Sequence, residues 1–300
     1  MTPEFRKTVH LAVSGDSFKA LYLDWQRGVL RPDLVFIDAE GSVVFEINEL
    51  GLKGEALDAA RRLAVVWGDS VVFGVGRSWP CLLDDFAPGY QFLGGGIEGD
   101  GYANILCRAA DLNRQRQVAL NLVMLGWHPH SMFLFNEAAI RGDAPAVPVA
   151  DRLRRLFGRG PAVSAANRGL RERLSDFLRA VPNTVLLTMP TALNPGIIDR
   201  DLSEFFVEGD GNAFGFTFLG RLPYSIAIQR GAFAFIRERN EIAREVCAQM
   251  NVRVVDLFER FSTEGQPDFR ENFADILHFR PRAFPLVAAV VYEGITDLVR

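Results

Sequence analysis

The sequence predicts an α/β fold in which a parallel sheet carries helices on both faces, preceded by a helix-plus-hairpin extension. Two observations carry this. From Arg62 onward, short apolar runs alternate with helical patterns, the rhythm of strands covered on both sides. Before Arg62, an amphipathic stretch is followed by two β-rich runs separated by a short polar link. With 300 residues and 49% hydrophobic content the chain can bury a full core.

Taken in order, Phe18, Leu21, Tyr22 and Trp25 recur at helical spacing, so an amphipathic helix is expected there. Asp16 or Ser17 stands where its N-cap belongs. The runs LVFID and SVVFEIN flank Ala39-Glu40-Gly41 and read as a hairpin. Residues 1–60 are therefore expected as an extension packed on a main domain over 61–300. In that domain the candidate strands are Leu63–Trp67, Tyr90–Leu93, Met132–Phe135, Thr184–Met189 and Val252–Leu257. Helices are expected over Ser164–Val181, Ala232–Met250 and from Phe284. The stretches Gly142–Pro161 and Ala192–Tyr224 are rich in Gly, Pro and Asn and read as long loops. In open parallel sheets, ligands bind past the carboxyl ends of the strands.

A net charge of −4 with both signs dispersed gives no basic stripe, which argues against nucleic acid. Cys81, Cys107 and Cys247 sit in apolar surroundings at wide spacing and read as buried thiols. No stretch reads as a signal peptide or membrane span. A soluble, cytoplasmic protein is expected, unless a leader has been removed.

Gly-Asp-Ser occurs twice, ending at Ser17 and at Ser70. After Ser70 the residues Val71-Val72-Phe73-Gly74 are too β-branched and glycine-broken to begin a good helix, so its hydroxyl needs a role other than capping. FLGGGIEGDG places Gly94, Gly96 and Gly99 in a G-x-G-x-x-G pattern. A dinucleotide site would also need a following strand ending in Asp or Glu, but the run VALNLVMLGW ends in Gly126 and Trp127, and Asp111 falls in a helical pattern. The same glycines suit a place where a backbone N–H approaches a substrate oxygen. Asn136 closes SMFLFN and reads either as a turn residue or as an oxyanion donor. Asp275 and His278 lie three apart in DILH, close enough for the carboxylate to fix the imidazole tautomer. His128 and His130 read as a turn around Pro129, with no third metal ligand at sensible spacing, and His10 as a packed residue.

In order, GDSVVFG, the glycines around Gly96, the Asn136 segment and DILH resemble the four blocks of the GDSL or SGNH hydrolases, over Arg62 to Arg300. NELGLKGEALDAARR also looks like the lead-in of many members. The resemblance implies a flavodoxin-like three-layer α/β/α sandwich around a five-stranded parallel sheet. Ser70 would be the nucleophile, His278 its base and Asp275 the orienting carboxylate. The Ser70 and Gly96 N–H groups and the Asn136 side chain would form the oxyanion hole. Here Leu134-Phe135-Asn136-Glu137 replaces the usual Gly-x-Asn-Asp, and Gly94 stands where Asn is frequent. Gly96 follows Ser70 by about one loop, helix and strand, whereas a whole hairpin separates it from Ser17; Ser17 is expected to cap a helix. The implied activity is a cofactor-free esterase for a small or short-chain acyl ester, such as a carbohydrate O-acetyl group. An acyltransferase with the same acyl-enzyme, or an impaired binding module, are the alternatives. The oligomeric state stays open.

Overall fold

The computed structural model describes residues 7–10, 22–24, 27–38, 40–74, 76–126, 167, 169–200, 202, 226–263 and 269–300. The first strands are β1 (Lys7–His10), β2 (Leu23–Asp24), β3 (Val29–Leu30), β4 (Leu34–Ile37) and β5 (Val43–Ile47). β4 and β5 form the expected antiparallel hairpin, and β1 runs parallel to β4 on its other edge. The hairpin link is held by Asp38, whose side chain accepts from the N–H of Glu40 at 3.1 Å and of Ser42 at 2.7 Å. Gly41 supplies the left-handed residue at φ 85°.

The helical period from Phe18 does not continue through Leu23 and Asp24. These two residues pair antiparallel with Val29–Leu30, while Phe18 and Trp25 lie outside the described residues. Tyr22, Phe36, Phe45 and Phe73 pack as one aromatic group, with Tyr22 stacked on Phe73 at 5.4 Å and Phe36 on Phe45 at 4.3 Å.

The central sheet contains β6 (Arg62–Gly68), β7 (Tyr90–Gly96), β8 (Leu120–Met124), β9 (Thr184–Leu187) and β10 (Val254–Val255). All five are parallel, in the order β10-β9-β8-β6-β7. Every residue of β8 and β9 is buried, as strands covered on both faces require. The helices are α1 (Ser70–Phe73), α2 (Trp79–Leu82), α3 (Tyr102–Gln115), α4 (Leu170–Ala180), α5 (Ile226–Gln249), α6 (Leu257–Ser262), α7 (Phe269–Asn272) and α8 (Phe284–Val299).

The chain steps from β6 outward to β7, then reverses to β8, β9 and β10. Right-handed crossovers place the helices of these two directions on opposite faces. The packing agrees: α3 meets α4 and α4 meets α5 in one layer, while α2 meets α8 in the other. The result is a three-layer α/β/α sandwich. Its topological switch point lies at the carboxyl ends of β6 and β8, where open sheets of this type bind ligands. At the opposite end, the Tyr90 hydroxyl donates to the Leu298 carbonyl at 3.1 Å and ties α8 to β7.

Several elements differ from expectation. The strand beside β6 is Leu120–Met124, not Met132–Phe135, which lies outside the described residues. β7 runs on to Gly96, so Gly94 to Gly96 belong to the strand instead of a loop after it. β10 is confined to Val254–Val255 because Asp256 caps α6, its side chain accepting from Glu259 N–H at 2.9 Å. Of the three thiols only Cys247 is fully buried; Cys81 is half-buried and Cys107 exposed, and none forms a disulfide.

Candidate active site

β6 delivers Gly68-Asp69-Ser70 to the switch point. The β-branched residues that follow predict no helix, yet Ser70–Phe73 close one α-turn. Asp69 makes this possible. Its carboxylate accepts from Val71 N–H at 3.0 Å, and its carbonyl from the N–H groups of Val72 and Phe73 at 3.2 and 2.9 Å. The Ser70 N–H, at the first position of this turn, lies beside the hydroxyl.

Glycines let three strand ends close on this turn. Gly68 and Gly96 are opposite in the β6–β7 register. A Cβ on Gly68 would fall 2.3 Å from Val72 Cγ2, and one on Gly96 2.4 Å from Phe73 N and 2.8 Å from the Asp69 carbonyl. Gly126, just past β8, would bring a Cβ 2.5 Å from the Asp100 carbonyl. At Gly96 and Gly126 the nearest atoms are backbone, so no side chain fits there without backbone movement.

Beyond Gly96 the loop is fixed by Asp100, fully buried and paired with Arg108 at 2.6 and 3.2 Å while Arg108 also donates to the Gly95 carbonyl at 2.7 Å. The dinucleotide pattern is therefore broken: Gly94 and Gly96 are strand residues, β8 ends in Met124, and Asp111 lies within α3.

Asp275 and His278 lie on a tight turn. Phe273 and Phe279 bridge its base, with rings stacked at 4.8 Å, and Ala274 N–H donates to the His278 carbonyl at 2.8 Å. Asp275 Oδ1 accepts from the N–H groups of Leu277 and His278 at 2.7 and 2.8 Å. Its Oδ2 stands 2.7 Å from His278 Nδ1, and His278 Nε2 stands 2.8 Å from Ser70 Oγ. The turn is docked on the loop after β9, where Thr191 Oγ1 donates to the Ile276 carbonyl at 2.6 Å and Ala192 N–H to the same oxygen at 3.1 Å.

Burial alone would lower the His278 pKa. The Asp275 carboxylate, through charge and hydrogen bond, outweighs it with help from Asp69 and Glu98, so the imidazole titrates above its ordinary value. The carboxylate on Nδ1 favours the tautomer with its proton there, which leaves the Nε2 lone pair facing the Ser70 hydroxyl. The His278 side chain keeps 28% of its surface exposed against 7% for Asp275, so the imidazole faces the solvent side and the carboxylate the interior.

Behind the switch point, fully buried Arg239 of α5 donates to the Gly126 carbonyl and, at 2.9 Å, to Asn167 Oδ1. Burial pulls its pKa down to about 9, against the pull of Tyr102, Asp69 and Glu238. Trp79 and Phe73 are both core residues.

Ser70, His278 and Asp275 thus come together, with Gly96 against the same turn. Asn136 lies outside the described residues, as do Leu134, Phe135, Glu137, Ser17, His128 and His130. Among the described residues no cluster of three metal-ligating side chains occurs, and no helix is long and apolar enough to cross a membrane. Asp69, Asp100 and Arg108 were not singled out as site residues by sequence reasoning. Asp69 had a signal, an Asp directly before a turn that needs a cap; the Asp100–Arg108 pair had only its spacing along one helix start.

The sequence matches no family model, and no curated protein matches it significantly. Among solved structures it is similar to a lipase/acylhydrolase from Enterococcus faecalis, with TM-score 0.46 and 18% identity over 79% of this chain and 96% of that one. A lipolytic G-D-S-L family member from Veillonella parvula gives TM-score 0.46 and 16% identity over 78% and 98%. An acetyl xylan esterase, AlAXEase, gives 0.45 and 11% over 78% and 99%.

Proposed function

We propose that the protein is a serine ester hydrolase of the GDSL or SGNH type, with Ser70 as nucleophile, His278 as general base and Asp275 as its orienting carboxylate. The observation that carries the reading is the continuous chain Ser70 Oγ, His278 Nε2, His278 Nδ1, Asp275 Oδ2, with links of 2.8 and 2.7 Å. Such a chain turns a weak hydroxyl nucleophile into an effective one.

In the proposed reaction, His278 removes the Ser70 proton as Oγ attacks the ester carbonyl carbon. The carbonyl oxygen then carries the charge. The Ser70 and Gly96 N–H groups and the Asn136 side chain are the proposed donors to it, each worth roughly a hundred- to a thousandfold in rate. Collapse expels the alcohol, which takes its proton from His278, and leaves an acyl group on Ser70. Water, deprotonated by His278, attacks that acyl carbon; expulsion of Ser70 Oγ, reprotonated by His278, releases the acid.

The proposed substrate is a small or short-chain acyl ester, an O-acetyl group on a sugar or other small alcohol among them. Residues 1–60 are proposed as an extension that packs on the hydrolase domain. The test is active-site titration with a serine-directed phosphonate. One equivalent of label per chain, lost in Ser70→Ala, is expected. Failure of the wild type to take up label, or equal labelling of Ser70→Ala, would overturn the assignment.

A further inference from the structure

We infer that Lys53 is a positioning residue for Ser70, its buried side-chain nitrogen holding the carboxyl end of the one-turn helix that presents the hydroxyl. The inference rests on Ser70 being the nucleophile.

Lys53 lies where the two sheets meet. Its backbone exchanges hydrogen bonds of 2.8 Å in both directions with Gly94 of β7, and it bridges Ile47 of β5. The side chain is 1% exposed and passes beneath α1. There Nζ donates to the carbonyl of Phe73 at 2.6 Å and of Gly74 at 3.1 Å, 4.3 Å from the centre of the Phe73 ring and 4.9 Å from that of Phe45.

A single helical turn has almost no internal hydrogen bonds, and its last carbonyls need partners from elsewhere. In α1 the Ser70 carbonyl accepts from Gly74 N–H at 3.0 Å, and the Val71 carbonyl from Trp79 Nε1 at 3.1 Å. The carbonyls of Phe73 and Gly74 are left to Lys53. Two valines and a left-handed Gly74, φ 56°, give the segment little helical preference of its own. Its shape is imposed from outside, by Asp69 at the front and Lys53 at the rear.

Packing alone does not account for a lysine here. Burying an ammonium is costly, and an apolar side chain of similar length would fill the space at less cost. The nitrogen's two carbonyl partners, with the Phe73 and Phe45 rings beside it, account for the choice. Burial pulls its pKa down to about 7, against the influence of Cys81 and Glu98; the neutral amine still carries two N–H donors, enough for both carbonyls.

Lys53 is buried beneath the turn, so its loss should disturb the chemical step and spare binding. Small misplacement of a reacting atom can cost up to about a hundredfold in rate. The test compares wild type, Lys53→Met and Lys53→Arg in p-nitrophenyl acetate hydrolysis, with phosphonate titration counting competent sites. Expected for Lys53→Met is a kcat lower by about ten- to a hundredfold, an unchanged KM and full eventual labelling at a slower rate. Lys53→Arg, which keeps donors and charge, should recover most of kcat. A fully labelled Lys53→Met with wild-type kcat, or a raised KM with kcat unchanged, would overturn the inference. So would a kcat loss that only follows the number of titratable sites. A wild type that takes up no label defeats instead the assignment of Ser70.

Discussion

Ser70 and His278 are separated by 208 residues along the chain and by 2.8 Å between Oγ and Nε2. That contact joins the carboxyl end of β6 to the turn ahead of α8 at the switch point. Ser70→Ala and His278→Ala are each expected to reduce p-nitrophenyl acetate hydrolysis by about ten thousandfold or more, because members of such a unit fail together. Ser17→Ala should leave the rate unchanged.

The pH dependence follows from the raised His278 pKa. The base must be neutral to accept the Ser70 proton, so kcat/KM should climb with pH and level off above an inflection higher than the ordinary 6.5. Asp275→Asn removes the charge that holds the imidazolium. Its inflection should move to lower pH and its plateau rate fall, both read from one pH series.

Asp69 holds the front of the Ser70–Phe73 turn. Asp69→Ala should cost about 1–2 kcal/mol in urea unfolding, the usual worth of a helix N-cap. Asp69→Asn, which keeps an acceptor oxygen, should cost less and retain more activity.

Gly96 and Gly89 make a matched pair. A methyl group at Gly96 meets backbone nitrogen at 2.4 Å, whereas at Gly89 nothing lies within 4 Å. Gly96→Ala should therefore destabilise the protein by about 1–3 kcal/mol and lower activity further by displacing α1. Gly89→Ala should change neither melting temperature nor rate.

Lys53 also makes a stability prediction. Folded, burial pulls its pKa down to about 7; unfolded, it has its ordinary value of 10.5. Between those values the unfolded chain binds more protons, so stability should rise with pH across that window, on account of this residue. Lys53→Met should lack that component, seen as a difference between the two proteins in urea unfolding at pH 7 and pH 10.

Most of the sheet was legible because β-branched runs alternate with helical periods. Leu120–Met124 belongs to the apolar run VALNLVMLGW but carries a polar residue in its middle. Asn121 sits in mid-strand, fully buried, accepting from Trp67 Nε1 at 2.9 Å and bonded to Asn113. A satisfied polar network inside a strand hides its apolar signature. β10 ends before its apolar run does for a local reason, since Asp256 starts a helix where the apolar run continues. In the site, the spacing of Asp275 and His278 announced their contact. The roles of Asp69, Arg108 and Lys53 depend on backbone carbonyls and amides, which carry no mark in a sequence.

The Tyr90–Leu298 hydrogen bond lies at the amino-terminal edge of the sheet, a strand length of roughly 20 Å from the Ser70 end. Anything fused after Arg300, such as an affinity tag, would emerge on the far side of the sandwich. Immobilisation through a tag at that position should leave the Ser70–His278 end of the sheet facing the bulk solution, a practical orientation for screening ester libraries on a solid support.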